Sequence, residues 1–132
     1  MQPFTKPKKR IDEIHIEEDV LSNILYSRKY TSLAQNKIEE FNNKYFNALI
    51  SLKEYENDIN FDSYFYRLYN FSNQINEKLI ITNEHKLKLV LASIDMADII
   101  LNQGIKNKDL EYLTTAFYGL NSDLESLNIF KN

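Results

Sequence analysis

SLAQNKIEEFNNKYFNALISLKEYENDI, residues 32–59, is the stretch whose reading decides the fold. Its apolar residues Ala34, Ile38, Phe41, Tyr45, Ala48, Leu52, Tyr55 and Ile59 recur at steps of 4, 3, 4, 3, 4, 3 and 4. Residues three and four apart share one face of a helix, so this spacing lays a single apolar stripe along it. A stripe of that length must be covered lengthwise by neighbouring helices. The stretch therefore predicts a helix over residues 32–58. Ser32 and Gln35 form a capping-box pattern at its start: the hydroxyl accepts an early backbone N–H and the amide side chain reaches back.

The same period extends in both directions. Upstream, Ile11, Ile14, Val20, Leu21, Ile24 and Leu25 predict a leading helix over 11–29. Its acids Asp12, Glu13, Glu17, Glu18 and Asp19 cluster early, where the helix macrodipole favours negative charge. Downstream, Asp62 opens a helix as its N-cap, with Phe65, Leu68, Ser72, Ile75 and Leu79 on one seam. Thr82 or Asn83 caps the next, which carries Leu87, Val90, Ile94, Ala97 and Leu101 and stops at Gly104 in the left-handed conformation. Asn107 starts the last, with Leu110, Leu113, Phe117, Leu120, Leu124 and Leu127. Gly119 lies inside that register. A continuous helix is expected across it, the alternative being a break with Ser122 and Glu125 as a second capping box. Short connections make successive helices antiparallel neighbours. The expected fold is all-α: an antiparallel helical bundle of four long helices plus a leading N-terminal helix. Residues 11–132 form its single domain, after a flexible basic arm at residues 1–10.

Composition supports this and removes several function classes. At 132 residues, 43% apolar with 17 Tyr and Phe, the chain has a core sufficient for one domain. It contains no Cys, which excludes disulfide scaffolds, thiol nucleophiles, zinc–thiolate sites and iron–sulfur clusters. Two glycines are too few for the loops that cradle nucleotide phosphates, so no nucleotide cofactor is expected. No apolar run approaches a membrane span, and residues 1–10 lack a signal-peptide pattern, so a cytoplasmic protein with no membrane partner is expected. Lys6, Lys8, Lys9 and Arg10 put +4 in the first ten residues. Since the whole chain is −3, residues 11–132 carry −7, a sign that repels nucleic acid.

Two short patterns bear on catalysis. Arg10 and His15 have the R-x4-H spacing seen in helical HEPN-type ribonucleases, but Ile11 stands where those enzymes place a polar residue. His85, Leu87 and Lys88 match the H-x-L-K of histidine phosphotransfer bundles, in which the histidine carries a phosphoryl group. Leu89 occupies the position where such a bundle keeps a Gly to admit its response regulator. A bundle-core metal site needs Glu-x-x-His pairs, and neither histidine belongs to one. The chain reads as a binder and not an enzyme, with a phosphotransfer-like signalling bundle or another helical adaptor as the alternative.

A third pattern concerns surface. Asp62, Tyr66, Tyr69 and Asn73 are spaced 4, 3, 4 away from their helix's seam, and Leu91, Asp95, Asp98 and Asn102 repeat that spacing on the next helix. Tyr offers a large contact area for two torsions and a polar tip, so Asp62, Tyr66, Tyr69, Asn73, Leu91, Asp95 and Asp98 are the candidate partner interface. The alternative is that these rings cover the shoulders of the core while the acids solvate it.

Leu87-Lys88-Leu89-Val90-Leu91-Ala92-Ser93-Ile94, followed after a loop by Asp109-Leu110-Glu111-Tyr112-Leu113-Thr114-Thr115-Ala116-Phe117-Tyr118-Gly119, resembles the closing two helices of small all-α immunity proteins. Those proteins protect bacteria against type VI secretion toxins, notably ones that destroy NAD(P) or make alarmone-like nucleotides. The resemblance implies a partner, a cognate toxin domain, and a stoichiometric inhibitory role.

Overall fold

In the computed structural model the backbone is described from Thr5 onward and the side chains from Val20 onward. The basic arm's side chains and the Arg10–His15 pair lie outside the described residues. The chain forms α1 (Thr5–Tyr55), α2 (Asp62–Lys78), α3 (Glu84–Asn107) and α4 (Leu110–Ser126). The all-α bundle is thus the fold. Among the described residues the one extended pairing is an antiparallel bridge between Leu79 and Phe130. Ile80 N donates to the Ile129 carbonyl at 2.8 Å and Lys131 N to the Lys78 carbonyl at 2.9 Å.

The leading helix does not exist as a separate element, because α1 passes through residues 30–32 without a break. No Gly or Pro interrupts the chain there, and Gln35 of the expected capping box reaches the Ile75 carbonyl of α2 instead of turning back. Thr31 Oγ1 accepts from Ile81 N at 2.9 Å, and Ser27 Oγ donates to the Ile81 carbonyl at 2.8 Å. One turn apart on α1, these two hydroxyls satisfy both polar groups of a fully buried residue that lies between helices.

The α1 stripe is buried as expected at Ala34, Ile38, Phe41 and Tyr45, then moves to Leu49 instead of Ala48. Leu52 closes it, and Tyr55 stands 69% exposed. A strict seven-residue repeat drifts about 20° per heptad around a straight helix, so one extra step of four keeps the buried side facing the bundle.

On α2 the buried set is Leu68, Phe71 and Ile75, with Phe71 taking the central place expected of Ser72. Phe61 and not Asp62 is the N-cap residue; its ring is only 2% exposed, so packing fixes this helix start in place of a side-chain cap. Asn83 caps α3, accepting from Lys86 N at 2.8 Å, and Leu87, Val90, Ile94, Ala97 and Leu101 are all buried. Gly104 does not end α3. The helix runs three residues further, and Lys108 takes the left-handed conformation with φ 51°. Gly104 serves close approach: a Cβ there would lie 2.8 Å from Leu113 Cδ2 and 2.9 Å from Leu113 N. Asp109, not Asn107, caps α4, and α4 continues through Gly119.

The centre of the bundle is aromatic. Tyr45 stacks on Phe117 with centroids 4.6 Å apart, and Phe71 meets Phe117 edge-on at 5.3 Å. Such pairs contribute about 0.5–1.5 kcal/mol each beyond the area they bury.

Candidate interaction surface

Side chains on opposite sides of α1 set the arrangement. On one side Gln35 Nε2 donates to the Ile75 carbonyl at 3.1 Å and Asn42 Nδ2 to Ser72 Oγ at 3.3 Å, which places α2. On the other, Lys44 Nζ meets Asp98 Oδ1 at 2.7 Å, which places α3. The outward face of α1 therefore lies between α2 and α3.

The α2 stripe is presented as its spacing implied. Asp62 is exposed, Tyr66 and Tyr69 are 66% and 64% exposed, and Asn73 is half-buried. Their helix is held from both flanks. Phe65 packs on Phe46 of α1 at 5.6 Å, and Arg67 Nη1 donates to Tyr118 Oη of α4 at 2.6 Å. With the helix so fixed, the two tyrosines cannot fold back into the core. Tyr69 also borders a groove of about 240 Å³ shared with Asn43, Phe46 and Ser72.

The α3 residues behave differently. Asp95 is exposed, but Leu91 is half-buried against the core. Asp98 is half-buried, bonded to Lys44, and accepts from Asn102 Nδ2 at 3.4 Å. Leu91 and Asp98 thus belong to the α1–α3 contact. The seven candidate residues do not form one continuous patch, because α1 separates the α2 set from the α3 set. The connecting residues, Asn43, Phe46 and Ile50, were not among those read from the sequence. Phe46 and Ile50 are 44% and 38% exposed. Their signal was available: they stand four apart on α1 and off its buried stripe.

The residues whose side chains the structure describes carry little net charge. Residues 11–19 hold five acids and no Lys or Arg, whereas residues 20–132 hold fourteen acids against twelve bases, a net of −2. The surface formed by residues 20–132 is therefore close to neutral and exerts little long-range attraction of either sign.

A cleft of about 520 Å³ opens at the C-terminal ends of α1 and α3, lined by Lys44, Asn47, Ser51, Leu52, Tyr55 and Lys108 among others. Lys108 Nζ sits 4.0 Å from the Tyr55 ring centroid across its mouth. That cation–π contact explains a lysine at a left-handed position where glycine is the common choice. His85 is exposed in the first turn of α3, and Lys88 pairs with Glu84 at 3.6 Å. Among the described residues no three His, Asp or Glu side chains converge as a metal site, and no helix is long and apolar enough to cross a membrane.

Comparison with protein-family models, curated proteins and solved structures returns no match.

Proposed function

We propose that the chain is an immunity protein: it binds and occludes a cognate antibacterial toxin enzyme stoichiometrically and does no chemistry of its own. The observation that carries this reading is the pair Tyr66 and Tyr69, each about two-thirds exposed on a helix locked from both sides. Rigid, outward tyrosines favour binding because little conformational entropy is lost when they are covered. The proposed contact face runs from Asp62, Tyr66, Tyr69 and Asn73 across Phe46 and Ile50 of α1 to Asp95 of α3. An enzyme that degrades NAD(P) or modifies nucleotides is the partner class, and the cytoplasm is the site of action.

The test is protection. If the neighbouring reading frame encodes a toxic enzyme domain, cells expressing it should grow when this chain is co-expressed, and a purified pair should form a one-to-one complex that lacks toxin activity. Growth arrest despite ample folded protein would sink the reading. So would stable phosphohistidine at His85 after incubation with acetyl phosphate, which would mark a signalling bundle.

A further inference from the structure

α3 carries a second stripe that the bundle leaves uncovered. His85, Leu89, Ala92, Met96, Ile99 and Gln103 recur at steps of 4, 3, 4, 3 and 4, on the side of the helix opposite the buried Leu87, Val90, Ile94, Ala97 and Leu101. Leu89 is 38%, Met96 65% and Ile99 66% exposed, and Ile100 at the stripe's edge is 37% exposed. None of the six carries formal charge at pH 7, in a chain whose residues are 27% charged. Apolar residues at this spacing on an outer face are the pattern of a helix–helix seam. The seam faces away from α1 and from the tyrosines of α2, and meets the proposed toxin face only at Asp95 on its flank.

The spacing reads the same in both directions. Rotated by a half-turn about an axis at the level of Ile94, the stripe falls on itself: Met96 meets Ala92, Leu89 meets Ile99, and His85 meets Gln103. A long, unbranched Met is thereby set against the smallest side chain at the centre, and two branched apolar residues meet on either side. Knobs facing small residues are what close helix packing requires. The absence of charge matters equally, since an isologous contact sets the same face against itself and a stripe bearing one sign of charge would be repelled.

We propose that this face is a self-association surface: two copies of the chain pair antiparallel through α3, about a two-fold axis at the level of Ile94. A single helix face with its margins is smaller than a standard interface, so the pair forms reversibly, with a dissociation constant on the order of micromolar or weaker. Asp95 lies on the flank of the stripe, one residue from the axis level, and the two copies of it approach one another there. Their repulsion weakens the pair at neutral pH. The inference goes beyond toxin binding and its test needs no toxin.

Sedimentation equilibrium of the full chain should show a monomer–dimer equilibrium across concentrations up to about 1 mM, where a contact this size is occupied. Met96→Glu or Ile99→Glu should abolish dimer with an unchanged melting temperature, since both side chains are solvent-exposed. Asp95→Asn should tighten the dimer severalfold. The chain has no cysteine, so the register can be read by cross-linking. In an oxidised mixture of Ala92→Cys and Met96→Cys chains, the mixed disulfide should outrun both homodimers. A chain that stays monomeric throughout overturns the proposal. So does a dimer that survives Met96→Glu, or one that cross-links Ala92→Cys mainly to itself.

Discussion

The Tyr45 hydroxyl is the most conspicuous single group in the core: fully buried, without a hydrogen-bond partner among the described residues. Burial pushes its phenol well above the ordinary value of about 10, because the phenolate would be desolvated, and the neighbouring Tyr118 and Tyr64 add to the effect. The sign of the consequence is definite. Above pH 10 the unfolded chain releases this proton while the folded chain keeps it, so stability falls as pH rises beyond the unfolded value. Melts between pH 8 and pH 12 should show that decline, and Tyr45→Phe should flatten it. At neutral pH the same change should raise stability by about 1 kcal/mol, since it removes an unsatisfied polar atom and keeps the ring stacked on Phe117. The sequence marked Tyr45 as core by its place in the stripe. It did not show that the hydroxyl lacks a partner, which depends on how α2 and α4 close over α1. Phe71 and Leu49 were missed for a related reason: each lies one position from the strict repeat, and only packing decides which of two adjacent residues turns inward.

The two glycines make opposite demands on their helices. A Cβ at Gly104 would press on the backbone nitrogen of Leu113, which has no room to give, so Gly104→Ala should destabilise the α3–α4 contact by about 1–3 kcal/mol. A Cβ at Gly119 meets nothing within 4 Å, and Gly in a helix interior is less favourable than Ala. Gly119→Ala should therefore stabilise by about 0.5–1 kcal/mol, and paired chemical denaturation curves will separate the two outcomes. Read as sequence, both residues were ambiguous. A Gly near the end of an apolar stripe has the form of a stop signal, and only the proximity of α4 shows that α3 must continue past it. The helices themselves were legible because α3 and α4 keep their period throughout. The start of α3 at Asn83, where a side chain does the capping, was among the two caps the sequence offered. The start of α4 was misplaced by two residues although Asp109 caps it, and the start of α2 was missed because packing at Phe61 sets it. The join between residues 29 and 32 misled because Ser32 and Gln35 spell a capping box, while in the fold Gln35 serves the Ile75 carbonyl of α2 and Thr31 the buried Ile81, to which no local pattern points.

For the molecule as a whole, the proposed toxin contact and the bundle's stability should separate cleanly. Tyr66→Ala or Tyr69→Ala should cost about 2 kcal/mol or more of toxin binding, some thirtyfold in affinity, with melting unchanged within error. Phe41→Ala should instead cost several kcal/mol of folding stability by opening a cavity, and lose protection only indirectly. Asp98→Lys is intermediate. It breaks the half-exposed pair with Lys44, a contact worth about 1 kcal/mol or less after solvent screening, so its effect on binding must be read against a parallel melt. The candidate site was half legible in the sequence. Outward tyrosines on α2 follow from helical spacing alone, whereas the assignment of Asp98 to an internal pair and of Phe46 to the surface between the stripes required the order of helices around α1.

The bridge between Leu79 and Phe130 fastens the last residues to the α2–α3 connection, so α3 and α4 sit inside a closed ring of chain. Lys86 Nζ reinforces the closure by donating to the Leu127 carbonyl. A terminus usually exchanges its amide hydrogens with solvent almost freely, but here the amides of Ile80 and Lys131 share one latch. In heavy water both should exchange slowly and at matched rates, set by cooperative opening of the whole ring and not by fraying of its end.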